Sequence, residues 1–150
     1  MPLLNYTTSI KASRTISQIM EILSVAGARE ITISYNDTPP LAEALTFVMD
    51  VNDRPVPFRL ECRWRAIQHI LENDKRVTGK KLRTAEHALN VGWRIIKVWV
   101  DAQMALIEAD LANLPQLFLP HAVGPDGRTL YEHVFEGYLL EPGNAETNPA

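Results

Sequence analysis

Two periodicities divide this chain of 150 residues, and their order constrains the fold more than any other feature. Three neighbouring segments alternate with period two: Ile31, Ile33 and Tyr35; then Leu45, Phe47, Met49 and Val51; then Val56, Phe58, Leu60 and Cys62. Successive strand side chains point to opposite faces, so each segment reads as a strand with one apolar face. Asn52-Asp53 is the only turn signal between the second and third segments, which predicts a hairpin. Pro55 and Pro57 lack an amide N–H, so the third strand lies at an edge or begins late. Farther along, the period becomes helical. Leu89, Trp93, Ile96, Val100, Met104, Ile107 and Leu111 form a stripe, and no proline interrupts it between Leu82 and about Asn113.

Shorter elements flank these. Ile16, Ile19, Met20 and Leu23 follow i, i+3, i+4, i+7 spacing, with Ser13 or Thr15 as cap and Gly27 as terminator. A second helix is predicted over Arg63 to Glu72, with Trp64, Ile67 and Leu71 inward. Weak alternation from Leu4 to Ile10 reads as an edge strand. Gly124-Pro125-Asp126-Gly127 is a turn, and Thr129 with Glu132 forms a capping box for a last helical turn ending near Gly137. The sum is an α+β fold: a small antiparallel sheet of three to four strands, helices on one face, and one long helix in the C-terminal half. Residues 1–140 form one domain, and the Pro, Gly, Asn and Glu of 141–150 read as a disordered tail.

No apolar run approaches the roughly 18 residues that span a bilayer, and the first residues lack the pattern of a secretory signal. The single cysteine, Cys62, excludes an internal disulfide, so a cytoplasmic location is expected.

Chemical motifs are sparse. His69, His87, His121 and His133 lack the spacing of a metal site, and the seven glycines form no phosphate loop. No metal or cofactor is expected. Cys62 follows Phe58 and Leu60 on one strand face, which makes it a small buried hydrophobe rather than a nucleophile activated by Arg63 and Arg65. Asp101, Glu108 and Asp110 lie on one helix as a solvated face would. Trp93 and Trp99 fit the apolar stripe, while Trp64 sits between two arginines at a strand-to-helix junction.

Charge is strongly segregated. Arg54 to Val100 holds eleven Lys/Arg against four acids, and Asp101 to Ala150 holds eight acids against Arg128 alone, although the net charge is only −3. The loop from Lys75 to Arg83 contains Lys75, Arg76, Lys80, Lys81 and Arg83 and no acid, a candidate anion site supported by Arg59, Arg63 and Arg65. No base-reading motif accompanies it, so DNA or RNA binding would be sequence-tolerant. A helix of about thirty residues would be roughly 45 Å long, longer than so small a domain is wide. Its basic half precedes its acidic half, against the macrodipole. Both points predict an antiparallel homodimer through Trp93, Ile96, Lys97, Val100, Met104, Ile107 and Leu111.

Pro57-Phe58-Arg59-Leu60, Gly92-Trp93-Arg94-Ile95-Ile96-Lys97-Val98-Trp99-Val100-Asp101-Ala102-Gln103, and Phe118-Leu119-Pro120 ahead of Asp126-Gly127-Arg128-Thr129-Leu130-Tyr131 resemble an uncharacterised family of small phage, prophage and bacterial mobile-element proteins. Asn5-Tyr6-Thr7-Thr8 and Gly27-Ala28 extend the likeness over most of the chain to about Tyr131. The resemblance implies a mobile-element setting inside a bacterial host and supplies no catalytic residues. Together with the basic block it implies a non-enzymatic, nucleic-acid-associated protein. The alternative is a protein-binding inhibitor or adaptor, for example anti-defence, that meets a host protein through the long helix and the acidic C-terminal part.

Overall fold

The structure is a computed structural model that describes residues 2–36 and 41–136; the tail expected over 141–150 and the helix end expected near Gly137 lie outside the described residues. Helix α1 (Ala12–Val25) leads into strands β1 (Glu30–Tyr35), β2 (Ala42–Val51) and β3 (Arg54–Glu61). Then come α2 (Trp64–Asn73), a 3-10 turn (Lys80–Arg83), the long helix α3 (Ala85–Glu108), α4 (Leu114–Phe118), a second 3-10 turn (Leu119–His121) and α5 (Leu130–Val134). The strands form one antiparallel sheet in the order β1-β2-β3, so the architecture is α+β.

Register shows how the period-two pattern is used. Ile31 and Phe58 flank Phe47, and Ile33 and Leu60 flank Leu45. This face meets Ile16, Ile19 and Leu23 of α1 and Trp93 and Val100 of α3 in the main core. The opposite face carries Thr32, Ser34, Thr46, Arg59 and Glu61, in register with one another across the three strands. Between β2 and β3, Asn52 and Asp53 both take positive φ (50° and 63°). That pair of left-handed residues makes a type I′ turn, whose twist matches that of the strands it joins. Pro55 and Pro57 do lie on an edge strand, and the Pro57 carbonyl accepts from Val123 N–H at 2.8 Å on the side away from β2.

Three expectations are corrected. Leu4 to Ile10 is not a strand. Asn5 takes φ 60°, and Tyr6 N–H to Leu3 O and Thr8 N–H to Asn5 O close successive turns. Leu3 and Tyr6 instead pack on a second cluster made by Leu71, Val77, Ala88 and Val91. The alternation there came from side chains reaching helices, with no sheet edge beside them. Neither Ser13 nor Thr15 caps α1: Lys11 stands at the cap, and the Ala12 N–H donates to Asn90 Oδ1 of α3 at 2.8 Å. Thr15 is fully buried. A long-range side chain thus meets one of the orphan donors of the first turn.

The long helix is shorter than the stripe implied, 24 residues, or about 36 Å. Thr84 caps its start, accepting from His87 N–H at 3.1 Å. Its end is set by Asp110 at φ 58°. Asp110 N–H bonds Ile107 O and Leu111 N–H bonds Leu106 O, the paired bonds of a Schellman motif, here built on an aspartate. At Gly27, φ 110°, glycine closes α1 with the same two bonds, to Ser24 O and Leu23 O.

Gly92 determines how closely α2 and the end of β3 approach α3. A Cβ there would lie 2.5 Å from Cys62 Sγ and 2.7 Å from Ile67 Cδ1. Gly92→Ala should therefore cost about 1–3 kcal/mol through overpacking. Asp110→Gly should add up to about 1 kcal/mol by relieving the left-handed conformation. Urea denaturation of both variants measures the two effects, which have opposite signs, one within α3 and one just past its C-terminal end.

Candidate anion-binding surface

The basic loop is an ordered turn rather than a free coil. Val77 is fully buried in the second cluster and pins it, and Gly79 at φ 102° turns the chain into the 3-10 segment. Arg83 spends its guanidinium on Val77 O at 2.8 Å. Arg76 forks onto Asp74, Nε to Oδ1 and Nη2 to Oδ2, both at 2.9 Å. These hydrogen bonds hold the Asp74 carboxyl below its ordinary range. Asp74, one residue before the stretch counted as acid-free, therefore takes up one of its charges. Lys75, Lys80 and Lys81 remain exposed, with no ion pair among the described residues.

Arg59, Arg63 and Arg65 lie elsewhere. The ten residues of α2 put about 15 Å of helix between Arg65, in its first turn, and Lys75, beyond its end. The eight cations thus form two groups. Arg59 projects from the open sheet face and is half-buried; its Nη1 donates to Gly127 O at 2.9 Å, which holds the guanidinium in one place. Arg65 lies over the Trp64 ring, 4.5 Å from its centroid, a cation–π contact. Glu43 accepts from Trp64 Nε1 at 3.2 Å and from Arg65 at 3.4 Å, and Glu61 faces Arg63 at 3.8 Å. Such exposed pairs are worth at most about 1 kcal/mol, so an incoming anion displaces them at little cost.

Two adjoining grooves share Arg59, Glu61 and Arg63 as their common wall. One, about 620 Å³, runs over Ser34, Glu43, Trp64 and Arg65. The other, about 380 Å³, is completed by His121, Thr129, Tyr131 and Glu132. Sequence reading missed these last four residues. The turn at 124–127 and the Thr129 cap were legible, but nothing local says that Val123 pairs with Thr129 and Ala122 with Phe58. Those bridges lay the segment along β3.

His121 sits at the back of the smaller groove with its ring 5.3 Å from that of Trp99. Burial lowers its proton affinity, and a hydrogen bond to the Arg59 backbone opposes that only in part. Cys62 is 4% exposed, and burial, reinforced by the Glu43 charge, pushes its thiol up to about 12. The thiol is therefore protonated near neutrality and inert as a nucleophile.

Residues expected at a dimer contact divide in the structure. Trp93 and Val100 are fully buried within the one chain, and Trp93 Nε1 donates to Ala42 O at 3.0 Å. A second copy cannot touch them, because α3 turns that side toward its own sheet. Ile96 is half-buried against the same core. Lys97 pairs with Asp101 one turn on at 2.8 Å, so these two of the charges on the helix meet within α3. Met104 and Ile107 line a groove with Ile22 and Val25 of α1, and Leu111 is 72% exposed.

Among the described residues, no helix is long and apolar enough to cross a membrane. Set against protein-family models, curated proteins and solved structures, the chain matches none.

Two measurements follow from these environments. Ellman's reagent at pH 8 should leave Cys62 unmodified in the native protein and titrate it fully in denaturant. His121 binds a proton more readily unfolded than folded, so its contribution to stability falls as pH drops below 6.5, its ordinary value. The urea midpoint should accordingly decline from pH 7.5 to 5.5, and His121→Gln should shrink that decline.

Proposed function

We propose that the protein is a non-enzymatic nucleic-acid-associated protein that binds phosphate backbones. The observation that carries this reading is the alignment of Arg59, Arg63 and Arg65 along two adjoining grooves of the sheet's open side. Arg59 is already held in position, so little side-chain entropy is lost when it meets a phosphate. Lys75, Lys80 and Lys81 extend the cationic surface beyond α2 and act as a secondary contact. The likeness to phage and mobile-element proteins supports the same reading and a bacterial cytoplasm as its setting.

A second reading, a protein contact, is favoured by the groove between α1 and α3, where Val25 is 86% exposed beside Ile22, Met104 and Ile107. A second copy or a host protein would cover that face, in place of the Trp93 and Val100 side.

Three phosphate contacts predict a loss of about 20-fold for single strands, or about 40-fold for duplex, between 50 and 200 mM salt. Fluorescence anisotropy with labelled oligonucleotides should show micromolar binding at 50 mM salt. Arg59→Glu/Arg63→Glu should abolish it, and Lys80→Glu/Lys81→Glu should weaken it several-fold. Absence of binding at 50 mM salt would refute the proposal.

A further inference from the structure

We infer that the grooved surface takes single-stranded rather than duplex nucleic acid, and that its carboxylates select bases bearing amino groups. This deepens the phosphate-binding reading and rests on it.

The first observation is the charge composition of the grooves. Arg59, Arg63 and Arg65 are equalled in number by Glu43, Glu61 and Glu132, with Arg63 facing Glu61 and Arg65 facing Glu43. A surface that met only the dense phosphates of a duplex would gain nothing from three acids among three arginines, since each repels the ligand. Single strands present bases as well as phosphates. A carboxylate accepts hydrogen bonds only, so it accepts from cytosine N4, adenine N6 or guanine N1 and N2. Thymine and uracil offer one imino N–H between two carbonyls, which leaves a carboxylate facing repelling lone pairs.

Shape and aromatic content are the second. Both grooves are concave, and each holds a flat platform. Tyr131 is 49% exposed and rests on Phe135, with ring centroids 5.3 Å apart and planes 13° from parallel. In the larger groove the Arg65 guanidinium covers Trp64 and offers its own plane. Bases stack on tyrosine rings and guanidinium planes only when they are splayed from a strand; a duplex keeps them stacked on one another. Phosphates on Arg59 and Arg63, with bases turned to Tyr131 on one side and Arg65 on the other, use every part of the surface.

The test compares fluorescein-labelled dC12, dT12 and a 12-base-pair duplex by anisotropy at pH 7.5 and 50 mM salt. We expect dC12 to bind about ten-fold more tightly than either dT12 or the duplex. Tyr131→Ala should weaken dC12 by roughly ten-fold or more and leave the duplex unchanged. Glu61→Gln should bring dC12 and dT12 closer together. Equal binding of dC12 and duplex, or a Glu61→Gln variant that strengthens dC12 and dT12 alike, would overturn the inference while leaving phosphate binding intact. Failure of all three oligonucleotides to bind would instead remove the reading on which it rests. Circular dichroism of each variant checks that the exposed substitutions leave the fold in place.

Discussion

Four consecutive residues of α3 face four different parts of the molecule, and the arrangement of everything else depends on them. Asn90 accepts the first amide of α1, Val91 joins the cluster under the basic loop, Gly92 admits Cys62 and Ile67, and Trp93 enters the sheet core and bonds Ala42 O. At 3.6 residues per turn, four successive side chains point all the way round a helix. This stretch is therefore a hub, buried on every side from His87 to Trp93. Beyond it α3 becomes an ordinary amphipathic helix with one solvated face. The long stripe seen in the sequence is thus two regimes joined end to end, the first spent on this chain's own core and the second leaving one side to solvent.

Strand and helix identity were legible where the local period is strong, as in α1, the three strands and α3, while the weak alternation of Leu4 to Ile10 belongs to turns. The hairpin at Asn52-Asp53 and the buried face of α1 followed from residues a few positions apart, and of the two readings of the prolines in β3 the edge position is the one found. What was not legible depends on distant groups. Asn90 capping α1 spans 78 positions, and the bridge of Phe58 to Ala122 brings a late segment to an early strand. Asp110 illustrates a different failure: an aspartate in the left-handed region ends a helix where composition would let it continue. The four added groove residues, His121, Thr129, Tyr131 and Glu132, belong to the first kind, since only their placement beside Arg59 and Arg63 gives them a role.

Among the described residues a single ion pair, Lys97 with Asp101, joins the basic block to the acidic one, and other cations are met locally. Arg76 is engaged by Asp74, Lys97 by Asp101, Lys11 by Glu86 and Arg94 by the amide of Gln18. The cations read as a candidate anion site fall into two separate groups, one on a grooved and mixed-charge surface, the other on an exposed turn. Position rather than number distinguishes them. Arg59 is half-buried and tied to a backbone carbonyl, whereas Lys80 and Lys81 stand on long flexible stems, so only the first meets a ligand with its geometry already set.

The bond from Val123 to Pro57 has a consequence for how the protein behaves among its own copies. An unpaired strand edge is a template for another chain, and β3 has lost that property: two prolines remove donors and the 122–123 segment occupies part of the rest. Its partner edge, β1, is not matched by any strand among the described residues on its outer side. Among the described residues, the strand edge left open along its length is thus that of six-residue β1, whose register with β2 shifts between Ser34 and Tyr35. Concentrated solutions would then meet at a short, irregular margin, poorly shaped to propagate a fibre, and the sheet can leave its polar face open to solvent without inviting stacking along its length.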